Sequence, residues 1–140
     1  MASAYYNDFP NNLLGNGVHG TTDLDTDDIR LILYDEGADA LNLADADLAD
    51  ILSAARISTS ANLTSKTVGT VGDGIFDHAD ETLTTVTGAT VESIIYYEHT
   101  GIESTSPLMF NLDDWTGLPL TPNGGDVVVA PAAGGVLDIS

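Results

Sequence analysis

Four consecutive residues, Ile94, Ile95, Tyr96 and Tyr97, put apolar side chains on both faces of an extended chain. A strand of that kind is stable only where protein covers it on each side. The stretch from Val91 to Asp113 therefore reads as the unit around which the rest must be arranged. Its second half alternates Leu108, Phe110 and Leu112 with Met109, Asn111 and Asp113, which predicts a strand with one buried and one more polar face. Between the two, His99 to Pro107 carries Gly101, several hydroxyl residues and a proline, the chemistry of a loop.

The same punctuation recurs along the chain and sets its class. Fourteen Gly and five Pro are spread over 140 residues, and repeated turn signals leave no room for crossover helices. The expectation is a mainly β fold, an antiparallel β-sandwich or jelly-roll-like domain with one short helix and an extended N-terminal arm. Residues 1–22 form the arm in this reading and residues 23–140 a single domain. Ile29, Leu31 and Leu33 give a strand. Leu48, Ile51, Leu52 and Ala55 fall at i, i+3, i+4 and i+7, and Asp45 precedes them as a cap, so the one helix is predicted over Asp45 to Arg56. Later strands are expected at Ile75–Phe76, Val127–Val129 and Val136–Ile139, with turns at Gly72–Gly74 and Pro122–Gly125. In the arm, Pro10, the adjacent Asn11 and Asn12, and three Gly argue against regular structure. The segment is then either a frayed terminus or an arm whose aromatics Tyr5, Tyr6 and Phe9 order against a neighbouring subunit; with Trp115 these are the candidate interface residues.

Composition matters next, through charge. Twenty-two acidic residues, 17 of them Asp, face only Arg30, Arg56 and Lys66, for a net charge of −19. Such a surface repels nucleic acid and anionic membranes, and no run approaches the roughly 20 apolar residues of a membrane helix. The N-terminal MASAYYNDFP lacks the positive charge and apolar core of a signal peptide. Asp-rich, Lys-poor composition with much Ala, Gly and Thr resembles that of proteins from extreme halophiles, in which salt screens the repulsion.

Motifs for chemistry fail on their context. Gly15, Gly17 and Gly20 have dinucleotide-fingerprint spacing but lack the preceding strand and following helix. Asp23, Asp25, Asp27 and Asp28 resemble the start of a calcium loop, yet the sixth and twelfth positions are Asp28 and Tyr34 where Gly and Glu are needed. A turn with solvated carboxylates is the better account. There is no cysteine, no nucleophile elbow and no zinc-helix histidine pair. His19, His78 and His99 are read as solvated turn residues. No catalytic residue, cofactor or metal is expected. Trp115 with Tyr34, Tyr96 and Tyr97 leaves a sugar-stacking module as an alternative.

Two segments carry a further likeness: LDTDDIRLILYDE, and the run from Gly74 that contains TGIESTSPL (Thr100 to Leu108), GLPLTPNGGD (Gly117 to Asp126) and a closing valine-rich strand. They resemble a family of small virion proteins encoded among the structural genes of tailed phages. This chain departs from the usual pattern at Glu98–His99, where a basic residue is common, and at Ala130–Pro131. The resemblance implies a non-enzymatic structural protein on the capsid surface, decorating or cementing the head shell of a tailed virus, here of a halophilic host. Its partners would be the major capsid protein or other virion proteins, and copies of itself, a trimer being one such assembly. A tail or connector component, and a secreted carbohydrate-binding β module, are the alternatives.

Overall fold

The structure, a computed structural model, describes residues 3–69 and 74–139. In chain order these form β1 (Ala4–Tyr5), α1 (Phe9–Leu13), β2 (Ile29–Tyr34), β3 (Arg56–Thr59), β4 (Thr67–Val68), β5 (Ile75–Asp77), β6 (Glu81–Leu83), β7 (Ser93–Glu98), β8 (Leu108–Leu112), β9 (Val127–Val129) and β10 (Leu137–Asp138). The fold is mainly β and sandwich-like. One five-stranded antiparallel sheet has the order β1-β8-β7-β2-β3, and two smaller sheets, β10-β5-β4 and β6-β9, complete the strands. Of the expected turn at 72–74, Gly72 and Asp73 lie outside the described residues.

The doubly apolar strand holds the centre, as its residues require. β7 pairs with β2 from Ile29–Glu98 to Tyr34–Ser93 on one side and with β8 on the other. Ile94 and Tyr96 enter a core with Leu31, Leu33, Phe76, Leu83, Phe110 and Val129, so the small sheets cover this face. Ile95 and Tyr97 enter a second core with Tyr6, Ile32, Tyr34, Leu48, Ile51 and Leu108. Covering both faces removes the whole of β7 except Glu98 from water.

Strand β8 departs from simple alternation. Tyr96 faces Phe110 and Tyr97 faces Leu108, so Met109 is an extra residue in the ladder. A bulge of this kind resets the two-residue period. Leu108 consequently joins the second core, while Met109, Phe110 and Leu112 join the first. The face expected to be polar is closed over Met109 and Asn111, all five strand residues being buried, while Asp113 beyond the strand end stays exposed as expected.

The predicted helix over 45–56 is replaced by two 3₁₀ turns, Leu48–Asp50 and Ser53–Ala55. Side chains take the backbone groups that an α-helix would pair. Asp47 accepts from Ala49 N at 3.0 Å, and Asp39 Oδ2 takes Leu52 N at 2.6 Å. Arg56 Nη2 donates to the carbonyls of Leu48 and Ile51, at 2.6 and 2.7 Å. In a helix those two carbonyls would accept from Leu52 and Ala55. Local side-chain competition of this sort defeats a helix that apolar spacing alone would allow. Three of the four stripe residues still pack: Leu48, Ile51 and Ala55 are buried, whereas Leu52, expected on the same face, is 56% exposed because the 3₁₀ turns do not keep the helical period.

The N-terminal segment is likewise corrected from free arm to part of the fold. β1 pairs with β8 through Ala4–Asn111 and Tyr5–Phe110, and Tyr6 N donates to Met109 O at 2.9 Å. The single α-helix among the described residues lies here, with Pro10 in its first turn, a position whose N–H has no intrahelical partner to lose. Tyr6 and Phe9 are each 1% exposed, and Asn12 is fully buried. Phe9 packs on Phe110 with ring centroids 5.8 Å apart.

Candidate functional site

The four aromatics singled out as interface residues part company in the structure. Tyr6 and Phe9 are core side chains and are unavailable to a partner. Trp115 is half-buried, packed on the main core and over Gly117, where an added Cβ would sit 3.2 Å from the indole. Tyr5 alone presents a substantial surface, at 38% exposure, with its hydroxyl donating to Asp138 O at 3.1 Å. Tyr34, Tyr96 and Tyr97 are buried, so the stacking platform that a sugar module would make of them does not exist.

Tyr5 instead marks one end of an apolar groove that the sequence reading did not assemble. Tyr5, Pro10, Leu13, Leu14 and Ile139 line its first part. The second part, of about 510 Å³, continues over Leu13, Leu14 and Ile139 to Ile75, Val68 and Leu24. Leu14 is 83% exposed and Ile139 52%. Helix α1 places Leu13 and Leu14 there because Phe9, one turn earlier, is anchored in the core. The end of the chain arrives through β10, which pairs with β5. Adjacent leucines ahead of a glycine were the available signal. Their convergence with Ile139, 125 positions later, is a product of topology.

Around the groove the field is negative. Asp23 lines it and belongs to the turn read as solvated carboxylates. There Asp27 Oδ2 accepts from Asp23 N at 2.6 Å. A hydrogen bond between the Asp23 and Asp25 side chains lowers the pKa of the first and raises that of the second. Among the described residues no group of three or more His, Cys, Asp or Glu is disposed to hold a metal ion. All three cationic side chains are engaged within the chain. Arg30 grips Asp28 through two bonds of 2.8 and 2.9 Å, Arg56 pairs with Glu103 at 2.7 Å, and Lys66 donates to Asn62 Oδ1 and Leu63 O.

All three histidines differ from the expectation of solvated turns: His99 is half-buried, its ring packed edge-on against Tyr97 with centroids 6.2 Å apart. His19 Nε2 lies 3.2 Å from Asp47 Oδ2, with both side chains mostly covered. His78 is only 5% exposed. Its Nδ1 is 2.7 Å from Ala79 O, so it donates there, and Nε2 accepts from Tyr96 Oη at 2.9 Å. Burial pushes the His78 pKa below its usual 6.5, against the pull of the Ala79 carbonyl and of Asp77 and Asp80. The unfolded chain therefore takes up this proton first. The contribution of His78 to stability is complete above about pH 6.5 and is lost as pH falls toward the lowered folded value. We expect the stability difference between the protein and its His78→Gln variant to shift against the histidine on acidification, measured by urea unfolding from pH 7.5 to 5. A pH-independent difference would show that the imidazole titrates alike in both states. Comparison with the variant is needed because protonating surface carboxylates relieves repulsion in both proteins.

The chain matches no model of a known protein family and no curated protein.

Proposed function

We propose that this chain is a non-enzymatic structural protein of a tailed-virus particle, and that it decorates or cements the capsid by seating its apolar groove on the shell. The observation that carries the reading is the groove itself. Leu14 and Ile139 stand exposed beside Tyr5 and Pro10 on a chain with a net charge of −19. An acidic protein that exposes adjoining large apolar side chains does so at a cost, and such patches mark interaction surfaces. With every cation engaged internally, the complement is an apolar anchor flanked by Lys or Arg, which fits a separate shell protein better than a second copy of this chain. The resemblance of the TGIESTSPL and GLPLTPNGGD segments to tailed-phage virion proteins supplies the setting.

Re-decoration of stripped particles tests this. Leu14→Ser and Ile139→Ser alter side chains that contribute little to the core, so the fold should persist. Loss of a central apolar anchor weakens binding by roughly tenfold or more. Undiminished occupancy by both variants, or immunogold labelling that finds the chain away from particles, would remove the proposal.

A further inference from the structure

Separate from the groove, a pocket of about 200 Å³ opens where the loop after β8 meets the segment leading into β10. Leu112, Val129 and Val136 give it an apolar floor, and Pro131, Trp115 and Asp114 line it beside them. Asp114 is exposed and Trp115 half-buried, so both are open to a ligand. The pocket is held in shape by its two segments. Leu118 N donates to Trp115 O at 3.1 Å, and Gly117 lies against the benzo ring of the indole. In the other segment, Gly135 N donates to Ala132 O and Val136 N to Phe76 O, both at 2.9 Å, and a Cβ on Gly135 would fall 2.6 Å from that Phe76 carbonyl. Ser3 steadies the carboxylate: its Oγ accepts from Asp113 N at 3.0 Å and donates to Asp114 Oδ1 at 3.5 Å. None of the three side-chain cations reaches Asp114, because Arg30, Arg56 and Lys66 are all held elsewhere.

An indole, a carboxylate and an apolar floor together select one kind of guest. An anion is repelled by Asp114 and by the net charge of −19. A wholly apolar guest would cover the carboxylate and leave it unpaired. A cation on an aliphatic stem meets all three walls. The stem lies along the apolar floor, and the ammonium reaches Asp114 and the indole, the ring that attracts a cation best. In molar salt an exposed ion pair is screened, so the aromatic and apolar seat is what keeps such a contact useful. The volume lies below the roughly 300–1,000 Å³ of small-molecule sites, which leaves room for one side chain. We propose that this pocket receives the lysine side chain of a partner protein. It opens beside the groove: Ser3 is two residues, about 7 Å of extended chain, from Tyr5, and Val136 directly precedes Leu137, which lines the groove. A partner that seats an apolar anchor in the groove can therefore place a lysine here. For the identity of that partner the inference rests on the capsid reading, in which the shell protein supplies the lysine.

Trp115 is the one tryptophan of the chain, so its emission reports on the pocket without a label. The test titrates the full chain in molar KCl with Nα-acetyl-lysine methylamide, up to about 100 mM, the range for weak millimolar sites. A saturable change in tryptophan emission is expected. The uncharged norleucine analogue, with the same carbon stem, should give none. Asp114→Asn should raise the half-saturating concentration about two- to fivefold, the worth of one accessible ion pair, while Leu14→Ser leaves it unchanged. Urea midpoints matching that of the parent chain show that each variant is folded. The proposal is overturned if the lysine compound gives no saturable change, if the norleucine analogue gives an equal one, or if Asp114→Asn responds as the parent does. No particle enters this measurement, so those outcomes would leave the capsid reading standing. Undiminished decoration by Leu14→Ser and Ile139→Ser would remove that reading and leave this pocket.

Discussion

Deleting residues 1–20 is expected to unfold the protein instead of trimming a loose end. The deletion removes β1 and α1 and withdraws Tyr6 and Phe9 from the two cores on either side of the sheet. Burying a large side chain is worth about 1.5–3 kcal/mol, so these two alone account for several kcal/mol. The outer edge of β8 then loses its partners: Met109 O and Asn111 O, which accept from Tyr6 N and Ser3 N, face water beside newly exposed Phe110. The sum is comparable to the whole stability of an ordinary domain, roughly 5–15 kcal/mol. Circular dichroism and urea titration of the truncated chain in high salt should show no cooperative transition. A truncated chain that unfolds with the midpoint of the full one would return the segment to the status of an arm.

Ionic strength should have the second large effect. Nineteen uncompensated negative charges repel one another more strongly in the folded state than in the expanded one. Moving from about 10 mM to about 1 M salt shortens the Debye length from roughly 30 Å to roughly 3 Å. Relief of several kcal/mol follows, and at this size a gain of about 3 kcal/mol raises the unfolding midpoint by on the order of 10 °C. Thermal melts across a KCl series should show a steep rise. A flat profile would sink the high-salt reading of the composition. If millimolar Ca²⁺ in dilute buffer gives the whole gain, with EDTA reversing it, specific binding replaces screening as the cause.

What could be read from the sequence was whatever burial pattern alone decides. Ile94 to Tyr97 had to be covered twice, and they are, by the small sheets on one side and the 41–55 segment on the other. The turn at Pro122–Gly125 also needed only local chemistry: Asn123 Oδ1 accepts from Gly125 N at 2.9 Å, and Gly124 takes the positive φ that glycine allows. Features decided by which polar side chain captures a backbone group, or by partners distant in sequence, were not legible. Spacing made 45–56 a helix, but Arg56 and Asp39 reach back to its backbone and break it into 3₁₀ turns. Composition made 1–22 an arm, because nothing local reveals that β8 has an open edge. His78 looked solvated between two aspartates until Tyr96 closed over it. The candidate groove shows the same limit, since Leu14 and Ile139 meet only through the fold.

The internal engagement of every cation has a practical side. Trypsin cuts after Lys and Arg, and this chain offers it three such positions: Arg30 inside a central strand, Arg56 at the start of β3 with its side chain clamped, and Lys66 held by Asn62 and Leu63. The folded protein should survive digestion that clears most contaminants, so protease treatment becomes a purification step. Lys66 is also the one side-chain amine. Amine-reactive dyes or gold can reach only that residue and the α-amino group, which gives each copy a near-unique, chemically addressable mark for tracking it on an assembly.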